Sequence, residues 1–356
     1  MTAPRTIWYS RCPVPTASAV AIGDGWLDRE FARDGIDVRS LRGSDDAGHR
    51  HRHYTHDHPM LFREGGIVPP LVSLARGGDL RLLALAGVDQ FHAVVALPES
   101  GIAAPADLAG RRVAIPRRPG QPVDFPRPLA RYYLAEALGR AALTEDDVRL
   151  VDVTSDEAFI GDGAADRTAS LYTARDNVRL HSAEVLALVR GQVDAIVLSG
   201  GHGRAISALI GAEPVIDLSN PDPGRWQPNH LRVLTASTAI IDTRPDLVVR
   251  YLATLLAAAG WAAAHPRAAR RTVAAEEGLA EEWVDQGYHP ALPAHLGLAL
   301  DDADLAALQR RASFFYDHGF LDAVIDVADW IAPDLLQRAQ QLLPTLPDTP
   351  PESENP

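Results

Sequence analysis

Hydrophobic positions in the first hundred residues follow two different periods. Short runs rich in β-branched and aromatic residues alternate with segments in which an apolar residue recurs every three or four positions, as is typical of strands and amphipathic helices. This pattern predicts strands at Thr6–Ser10, Ile36–Leu41, Leu80–Ala86 and His92–Leu97, and helices at Ala17–Arg33 and Val68–Arg76. The polar, histidine-rich segment Gly43–Gly66 has neither period, and we expect it to be a long functional loop.

The alternation continues through the middle of the chain and then gives way to helices, which we expect as far as Leu343. One further strand is predicted to end at Ile115, and others are predicted at Val148–Val153, Val193–Leu198, Val215–Leu218 and Leu231–Ala236. Further helices are predicted at Leu129–Leu138 and Ser182–Arg190. Pro116–Pro128 carries five prolines and must be a loop. Asp156–Asn177 has weak periodicity, and we expect it to be mobile.

Regular alternation of strands and helices predicts an α/β fold with mostly parallel sheets flanked by helices. The order of the segments, together with Asp107–Ile115 and Arg190–Ala195, resembles the type II periplasmic binding proteins. That resemblance implies two lobes with a cleft between them. The implied parts are lobe one at residues 1–90 and 219–343 and an inserted lobe two at residues 91–218. The composition of residues 344–356, rich in proline and glutamate, predicts a disordered tail.

The charged residues exclude several kinds of partner and of chemistry. The net charge of −13 argues against nucleic acid and anionic membrane surfaces, because both need a basic footprint. All 34 basic residues are arginine, so the chain has no lysine for a Schiff base or a Walker motif. The most apolar helix candidate, Leu247–Ala264, is interrupted by Arg250 and falls short of the roughly 18 uninterrupted apolar residues typical of a membrane helix.

The beginning of the chain carries no apolar segment of the kind found in secretory signals, so we expect a cytoplasmic location. The single cysteine agrees with that location, because it cannot form an internal disulfide. We also expect the protein to be a monomer.

Cys12 lies where the first predicted strand ends and two prolines, Pro13 and Pro15, force the chain to turn. In open α/β sheets, ligands bind beyond the carboxyl ends of the strands, so a residue at this point faces the cleft. One interpretation of Cys12 is a catalytic thiol. The other is a small buried core residue, which is what most free cysteines are.

Five histidines within ten residues form a second candidate feature, at positions 49, 51, 53, 56 and 58. On an extended strand, the His-x-His spacing would place two imidazoles on one side and could serve a metal ion. No carboxylate cluster or second cysteine completes a recognisable set of ligands. We therefore expect no metal, and favour a solvated loop that contains one functional histidine.

The third candidate feature is the segment Arg63–Pro70, which combines an arginine, two glycines and the start of a helix. Gly65 and Gly66 allow close approach of the backbone to a ligand, and the helix N-terminus adds free N–H groups. The guanidinium of Arg63 can hold two oxygens at once. An oxyanion pocket is one interpretation, and a glycine turn beside a solvated arginine is the other.

In combination, these segments resemble the 2'-hydroxybiphenyl-2-sulfinate desulfinases of dibenzothiophene desulfurisation. The segments that carry the likeness are Tyr9–Pro15, His53–Thr55 and Arg63–Leu71, and a thinner likeness extends over most of the chain. By position, the resemblance implies Cys12 as catalytic cysteine, His53 as active-site histidine, Arg63 as sulfinate-binding residue and Gly66 as donor of a backbone N–H. We add Tyr54 and Gly65 as candidate substrate-binding residues.

The resemblance implies hydrolysis of a small aromatic sulfinate to the arene and sulfite, without a cofactor. Cys12 would act either as a nucleophile on sulfur or as a proton donor to the ring carbon, and the sequence leaves both routes open. Three features depart from the family and bear on the identity of the substrate. Leu198–Arg204 lies where an aromatic-rich segment is expected, the proline-rich loop Pro116–Pro128 differs from the family, and the histidines around His53 are particular to this chain.

Three other functions are compatible with the same fold. One is a non-catalytic solute-binding protein for a small aromatic or sulfonate-like anion, which would require export. Another is a pyrimidine-precursor synthase of thiamine metabolism, which looks to a lysine-bound pyridoxal phosphate and so conflicts with the absence of lysine. The third is a desulfinase-like enzyme that uses the same residues on another sulfinate or a related aromatic acid.

Overall fold

The computed structural model describes residues 6–156, 179–220, 222 and 224–351. The strands in these residues are β1 (Thr6–Arg11), β2 (Asp37–Ser40), β3 (Leu61–Gly66), β4 (Leu80–Val88), β5 (His92–Ala96), β6 (Arg112–Arg117), β7 (Arg149–Thr154), β8 (Ile196–Ser199), β9 (Glu213–Asp217) and β10 (His230–Ser237). Short 3-10 helices lie at Leu41–Gly43, Pro98–Ser100, Pro105–Leu108, Glu145–Asp147, Leu292–His295 and Leu343–Thr345.

The α-helices flank these strands and dominate the last third of the chain. Within the described residues they are α1 (Ala17–Gly23), α2 (Trp26–Ala32), α3 (Ala47–Thr55), α4 (Val68–Ala75), α5 (Pro126–Arg140), α6 (Ser182–Val189), α7 (Gly200–Ile210), α8 (Thr238–Thr243), α9 (Pro245–Ala264), α10 (Pro266–Glu277), α11 (Glu281–Gly287), α12 (Asp302–Asp317), α13 (Val327–Trp330) and α14 (Pro333–Leu342). The predicted α/β class is confirmed.

Lobe one is built on a five-stranded sheet in the order β2-β1-β3-β10-β4. Strand β1 is parallel to β2 and β3, whereas β10 is antiparallel to both β3 and β4. Lobe two contains an antiparallel β8-β5-β9 sheet and a parallel β6-β7 pair, joined by a bridge between Val113 and Ala195. The sheets are therefore mixed, and the prediction of mostly parallel sheets is wrong. The physical reason is that β4 leads the chain towards β5 whereas β10 brings it back, so the two neighbours run in opposite directions. The sequence boundaries of the lobes stay a prediction.

The core of lobe one forms between its sheet and the apolar helix α9. Phe62 of β3 stacks on Tyr251 of α9, with ring centroids 3.9 Å apart. By length and hydropathy α9 could cross a membrane, but 67% of its most apolar window is buried inside the fold, as expected of a core helix. This packing fixes β3, which carries part of the candidate site.

Two segments next to the site differ from prediction. The single helix expected at Ala17–Arg33 is two helices, because Gly25 adopts a left-handed conformation with φ 71° between them. The long loop expected at Gly43–Gly66 is wrong, since this segment contains α3 and β3. Helix α3 begins where the Asp46 side chain accepts a hydrogen bond from the Gly48 amide, and ends at His56, which is left-handed with φ 59°.

The predicted disorder of the tail is wrong for residues 344–351. Leu346 packs against the core of lobe one, and the Arg29 guanidinium donates a hydrogen bond to the Thr349 carbonyl at 2.7 Å. Apolar burial and this hydrogen bond hold the segment to α2. The tail beyond Pro351, and most of the segment Asp156–Asn177 that was expected to be mobile, lie outside the described residues.

Candidate active site

Cys12 directly follows β1 and lies at the carboxyl edge of the five-stranded sheet. Its amide donates to the Glu64 carbonyl at 3.1 Å, which continues the pairing of β1 with β3 by one residue. Helix α1 begins shortly afterwards, with Thr16 accepting a hydrogen bond from the Ala19 amide. The thiol is thus held between a strand end and a capped helix, and it is half-buried.

Gly65 of β3 supports Cys12 by having no side chain. A β-carbon built on residue 65 would lie 2.5 Å from Cys12 Sγ and 3.0 Å from Cys12 Cβ, which is too close for any side chain. Gly65 does not line the cavity described below. The position of Gly65 brings it against the cysteine, and its contact with substrate stays a prediction.

His53 projects from α3 towards Cys12. The residue is only 1% exposed, its Nδ1 lies 2.6 Å from Ser10 Oγ, and its Nε2 lies 3.9 Å from Cys12 Sγ. Because the segment is helical, residues four apart share a face, and His51 points to solvent on another face. The idea of two imidazoles on one side of an extended strand is therefore wrong.

Arg63 of β3 completes the group and is also only 1% exposed. Its Nη1 donates to the Gly66 carbonyl at 2.9 Å, which fixes the plane of the guanidinium. Its Nη2 lies 3.6 Å from Cys12 Sγ and 3.4 Å from His53 Nε2. One N–H edge of the guanidinium therefore faces both the thiol and the imidazole.

These contacts indicate which nitrogen of His53 carries the proton. Arginine offers only N–H donors, so the contact between Arg63 Nη2 and His53 Nε2 requires a lone pair on Nε2. The proton then lies on Nδ1, which donates to Ser10 Oγ. In this tautomer the Nε2 lone pair is the atom of the imidazole that faces Cys12 Sγ.

Both histidines near the guanidinium are held neutral. Burial, the charge of Arg63 and nearby His56 keep the pKa of His53 well below its usual 6.5. Burial and Arg63 lower the pKa of His56 to about 3, although a hydrogen bond to the Tyr54 carbonyl opposes the shift. The permanent positive charge beside Cys12 therefore belongs to Arg63.

These groups open onto a cavity of about 160 Å³ that has mostly apolar walls. Its lining residues are Cys12, Pro13, Val14, His53, Arg63, Gly66, Val68, Pro69, Phe125, Leu129, Leu180, Ser199, His230 and Arg232. They come from both lobes, so the cavity lies in the predicted cleft. A hydrophobic chamber with a few convergent polar groups at one end suits an aromatic molecule that bears a small anion.

Tyr54 lies elsewhere. Its side chain is buried in the hydrophobic cluster between α4 and α12, and its ring packs edge-on against His53 with centroids 5.0 Å apart. It does not line the cavity. Its place on α3 turns the side chain into the core behind His53, and its contact with substrate stays a prediction.

The remaining histidines of α3 and its flank do not join this site. His49 and His58 pack around Trp8, at centroid distances of 4.3 and 5.9 Å. Among the residues that the structure describes, no group of three or more histidine, cysteine or acidic side chains is arranged to hold a metal ion.

Sequence reasoning missed three residues of the site: Ser10, His230 and Arg232. Ser10 belongs to the strand that leads to Cys12, and this position next to the candidate thiol was the only sequence feature that pointed to it. His230 and Arg232 lie on β10, all eight residues of which are buried. An arginine inside a fully buried strand is a detectable signal, since buried arginine is rare unless it is paired.

A family model described as NMT1/THI5 like matches residues 18–269 of the chain. A relative from Rhodococcus erythropolis, named 2'-hydroxybiphenyl-2-sulfinate desulfinase, is 29% identical over 353 residues, covering 94% of this chain and 93% of its own. A relative of the same name from Rhodococcus qingshengii has the same identity and coverage. The resemblance inferred from three short segments is thus confirmed over most of the chain.

Solved structures give the same picture. A crystal structure of a cysteine-to-serine mutant of DSZB in complex with biphenyl-2-sulfinic acid matches with a TM-score of 0.74 and 29% identity, covering 94% of this chain and 99% of that chain. The periplasmic aliphatic sulphonate binding protein SsuA from Escherichia coli matches with a TM-score of 0.63 and 17% identity, covering 93% and 92%. The second likeness concerns the fold alone, and it confirms the predicted periplasmic-binding-protein-like architecture.

Proposed function

The chain belongs to the NMT1/THI5-like family, and we propose that it is an aryl sulfinate desulfinase. Its substrate is 2'-hydroxybiphenyl-2-sulfinate or a close analogue, and its products are the arene and sulfite. The observation that carries this proposal is the convergence of Cys12, His53 and Arg63 at one end of an apolar cavity. The names of the relatives, and the sulfinic acid bound to one of them, support the same chemistry.

Arg63 orients the substrate in this proposal. Its guanidinium carries a permanent charge in a buried site and presents Nη2 to the cavity, where it can bind a sulfinate oxygen. Gly66 lies beside it, and a β-carbon there would meet nothing within 4 Å, so the backbone is open to the anion. The apolar walls hold the ring system, and the scissile carbon–sulfur bond then lies next to Cys12.

Cys12 supports two routes. In the first, the thiol protonates the ring carbon that bears sulfur, the carbon–sulfur bond breaks, and sulfur dioxide leaves and is hydrated to bisulfite. In the second, the thiolate attacks sulfur, the ring carbon takes a proton, and water releases bisulfite from the thiol–sulfur adduct. Both balance as one sulfinate anion plus one water giving one arene plus one bisulfite, with no change in overall redox state.

His53 serves both routes as a neutral base. Its Nε2 lone pair faces Cys12 Sγ at 3.9 Å and can take the thiol proton or return it. The hydrogen bond from Arg63 Nη2 stabilises the thiolate that results. Because His53 is neutral, we assign the stabilising charge to the arginine rather than to an imidazolium.

We place the activity in the hydrolase class, since water supplies the third oxygen of sulfite. The rival function of a non-catalytic binding protein for a sulfonate-like anion needs no thiol, base and guanidinium in mutual contact. The pyrimidine-precursor synthases of thiamine metabolism depend on a lysine that binds pyridoxal phosphate, and this chain has no lysine. Cytoplasmic location and a monomeric state stay part of the proposal.

The test is to mix purified protein with 2'-hydroxybiphenyl-2-sulfinate and to measure sulfite and 2-hydroxybiphenyl over many turnovers. We expect both products in equal amounts, more than one per protein molecule. Tight binding without any product would favour the binding-protein function instead. Mass spectrometry of Cys12 during turnover distinguishes the routes, because only attack on sulfur leaves an adduct that contains sulfur dioxide.

A further inference from the structure

Arg232 is a second guanidinium at the cavity, and the proposed chemistry does not use it. It is 5% exposed and lies opposite Gly66 in the register of β10 and β3. Its one hydrogen bond in the described part of the chain is a long contact from Nη2 to Gln90 Oε1 at 3.4 Å, and its Nε has no partner. No carboxylate among the described residues forms an ion pair with it within 4 Å. A buried cation without a counter-ion is costly, so it points to a ligand.

A smaller cavity of about 110 Å³, called here the inner cavity, adjoins the Cys12 cavity. The two share Phe125, Leu129, Leu180, Ser199 and His230 as walls. His92 lines the inner cavity and is 2% exposed, and both of its ring nitrogens lack a hydrogen-bond partner among the described residues. Its ring packs on Tyr133 at 3.6 Å between centroids, so the imidazole is held in place with unused donor and acceptor atoms.

The carboxyl groups around this region do not neutralise Arg232. Glu184 on the inner wall accepts two hydrogen bonds from Arg118 Nη2, at 2.7 and 2.8 Å, and is already paired. Glu277 accepts a hydrogen bond from the Tyr288 hydroxyl at 2.6 Å. Burial raises its pKa to about 8, although that hydrogen bond and the charge of Arg232 oppose the shift, so Glu277 is mostly uncharged at neutral pH.

Two other ionisable groups lie near this region. Glu64 accepts a hydrogen bond from the Ser18 amide, and burial raises its pKa, although hydrogen bonds from Ser18 and the charges of Arg11 and Arg232 oppose the shift. A second buried arginine, Arg311, donates to the carbonyls of Ala307 and Asn229 and adds further positive potential. Its charge helps to lower the pKa of the neighbouring His92 to about 3, after burial as the main cause, so His92 is neutral and offers an N–H group.

We infer that Arg232 and His92 form a second anion subsite, which binds a carboxylate on the substrate's distal ring. This inference rests on the proposed function and, among the close analogues of 2'-hydroxybiphenyl-2-sulfinate, extends its substrate class to those that carry a carboxylate in place of the 2'-hydroxyl. The sulfinate would lie at Arg63 and the carboxylate at Arg232, with the rings between apolar walls. A hydroxyl group would satisfy His92, but it would leave the guanidinium uncompensated, which is why we assign a carboxylate.

The test compares two unreactive probes, biphenyl-2-carboxylate and biphenyl-2,2'-dicarboxylate, by calorimetry on the full-length protein. We expect the dicarboxylate to bind at least about tenfold more tightly, because one charge-assisted hydrogen bond to its second carboxylate accounts for an affinity difference of that size. Arg232→Gln should remove that preference and leave the affinity for the monocarboxylate within about twofold. Arg338→Gln, which removes an exposed arginine of α14, is the control for charge and should leave the preference intact.

Equal binding of the two probes by the wild-type protein would overturn the inference, as would an equal loss for both in Arg232→Gln. If Arg232→Gln does not fold, Arg232→Lys is used instead, because it keeps the charge but not the two-pronged geometry of the guanidinium. The preference for the dicarboxylate should then fall without vanishing. Sulfite release from biphenyl sulfinates with and without a 2'-carboxylate is measured separately. A protein that prefers the dicarboxylate but releases no sulfite would sustain the subsite and refute the desulfinase function.

Discussion

Gly65 and Cys12 lie in such close contact that a β-carbon on residue 65 would be 2.5 Å from Sγ. A methyl group at residue 65 would therefore push the thiol away from His53 and Arg63. We predict that Gly65→Ala lowers sulfite release at least about tenfold and destabilises the fold by about 1–3 kcal/mol, as overpacking does. Steady-state kinetics and urea unfolding measure the two effects.

The matched control is Gly66→Ala, because a β-carbon there would meet nothing within 4 Å. Gly66→Ala should therefore unfold within about 0.5 kcal/mol of the wild type, a typical effect at an unconstrained site. If Gly65→Ala is as stable and as active as the wild type, the close packing of residue 65 on the thiol is irrelevant to the site.

Cys12→Ser tests the thiol itself. A hydroxyl is a much weaker acid and nucleophile than a thiol, so both routes through Cys12 should fail while the shape of the cavity persists. We predict a loss of at least about a thousandfold in kcat, with the affinity for biphenyl-2-carboxylate kept within about threefold. Sulfite assay and calorimetry are the measurements, and near-normal turnover would show that Cys12 is not catalytic.

Arg63→Lys tests the fork of the guanidinium. Arg63 donates to the Gly66 carbonyl through Nη1 and approaches Cys12 Sγ through Nη2, and a single ammonium group cannot reproduce both contacts. We predict that KM rises at least about tenfold, because the sulfinate loses its oriented donor. Arg338→Lys, on the exposed face of α14, serves as the control, and unchanged kinetics for Arg63→Lys would remove Arg63 from substrate binding.

The meeting of Cys12, His53 and Arg63 was expected from the family resemblance of three short segments, and in the structure all three residues belong to neighbouring elements in the first 66 residues. Strand β1 ends at Cys12, β3 pairs with β1, and α3 immediately precedes β3. Local pairing of this kind leaves short sequence signals. The helix α3 was nevertheless missed, since its polar histidines and arginines hide the apolar period, and it depends on the cap at Asp46 and on the burial of His53.

The parts of the site contributed by β10 could not be predicted in the same way. Arg232 and His230 reach the cavity only because β10 returns from lobe two and inserts between β3 and β4. That insertion is a long-range pairing, and nothing in the local pattern around residue 232 specifies its partner. For the same reason, the antiparallel character of the central pairings was not expected from the alternation of strands and helices.

Ser10→Ala tests the tautomer of His53. Ser10 Oγ lies 2.6 Å from Nδ1 and accepts a hydrogen bond from it. Without that partner, the buried ring loses the contact that directs the Nε2 lone pair to Cys12. We predict a fall of about tenfold in kcat with little change in KM, because substrate binding depends on Arg63. Ser18→Ala is the control, since Ser18 is equally buried but outside the cavity. An unchanged kcat would make Ser10 a packing residue only.

His92→Gln tests the neutral state of that buried ring through the pH dependence of stability. Burial, the main cause, and nearby Arg311 lower the pKa of His92 from 6.5 to about 3, so between these values the unfolded chain binds a proton that the folded protein does not. Stability contributed in this way is complete above about pH 6.5 and is lost as the pH falls towards 3. Between about pH 7.5 and about pH 5.5, the wild-type free energy of unfolding should fall by about 1.4 kcal/mol more than that of His92→Gln. Glu277, whose raised pKa acts with the opposite sign, is present in both proteins and cancels in the comparison. Urea unfolding at the two pH values gives the difference. An equal change in the free energy of unfolding with pH for both proteins would mean that His92 takes up its proton in the folded state.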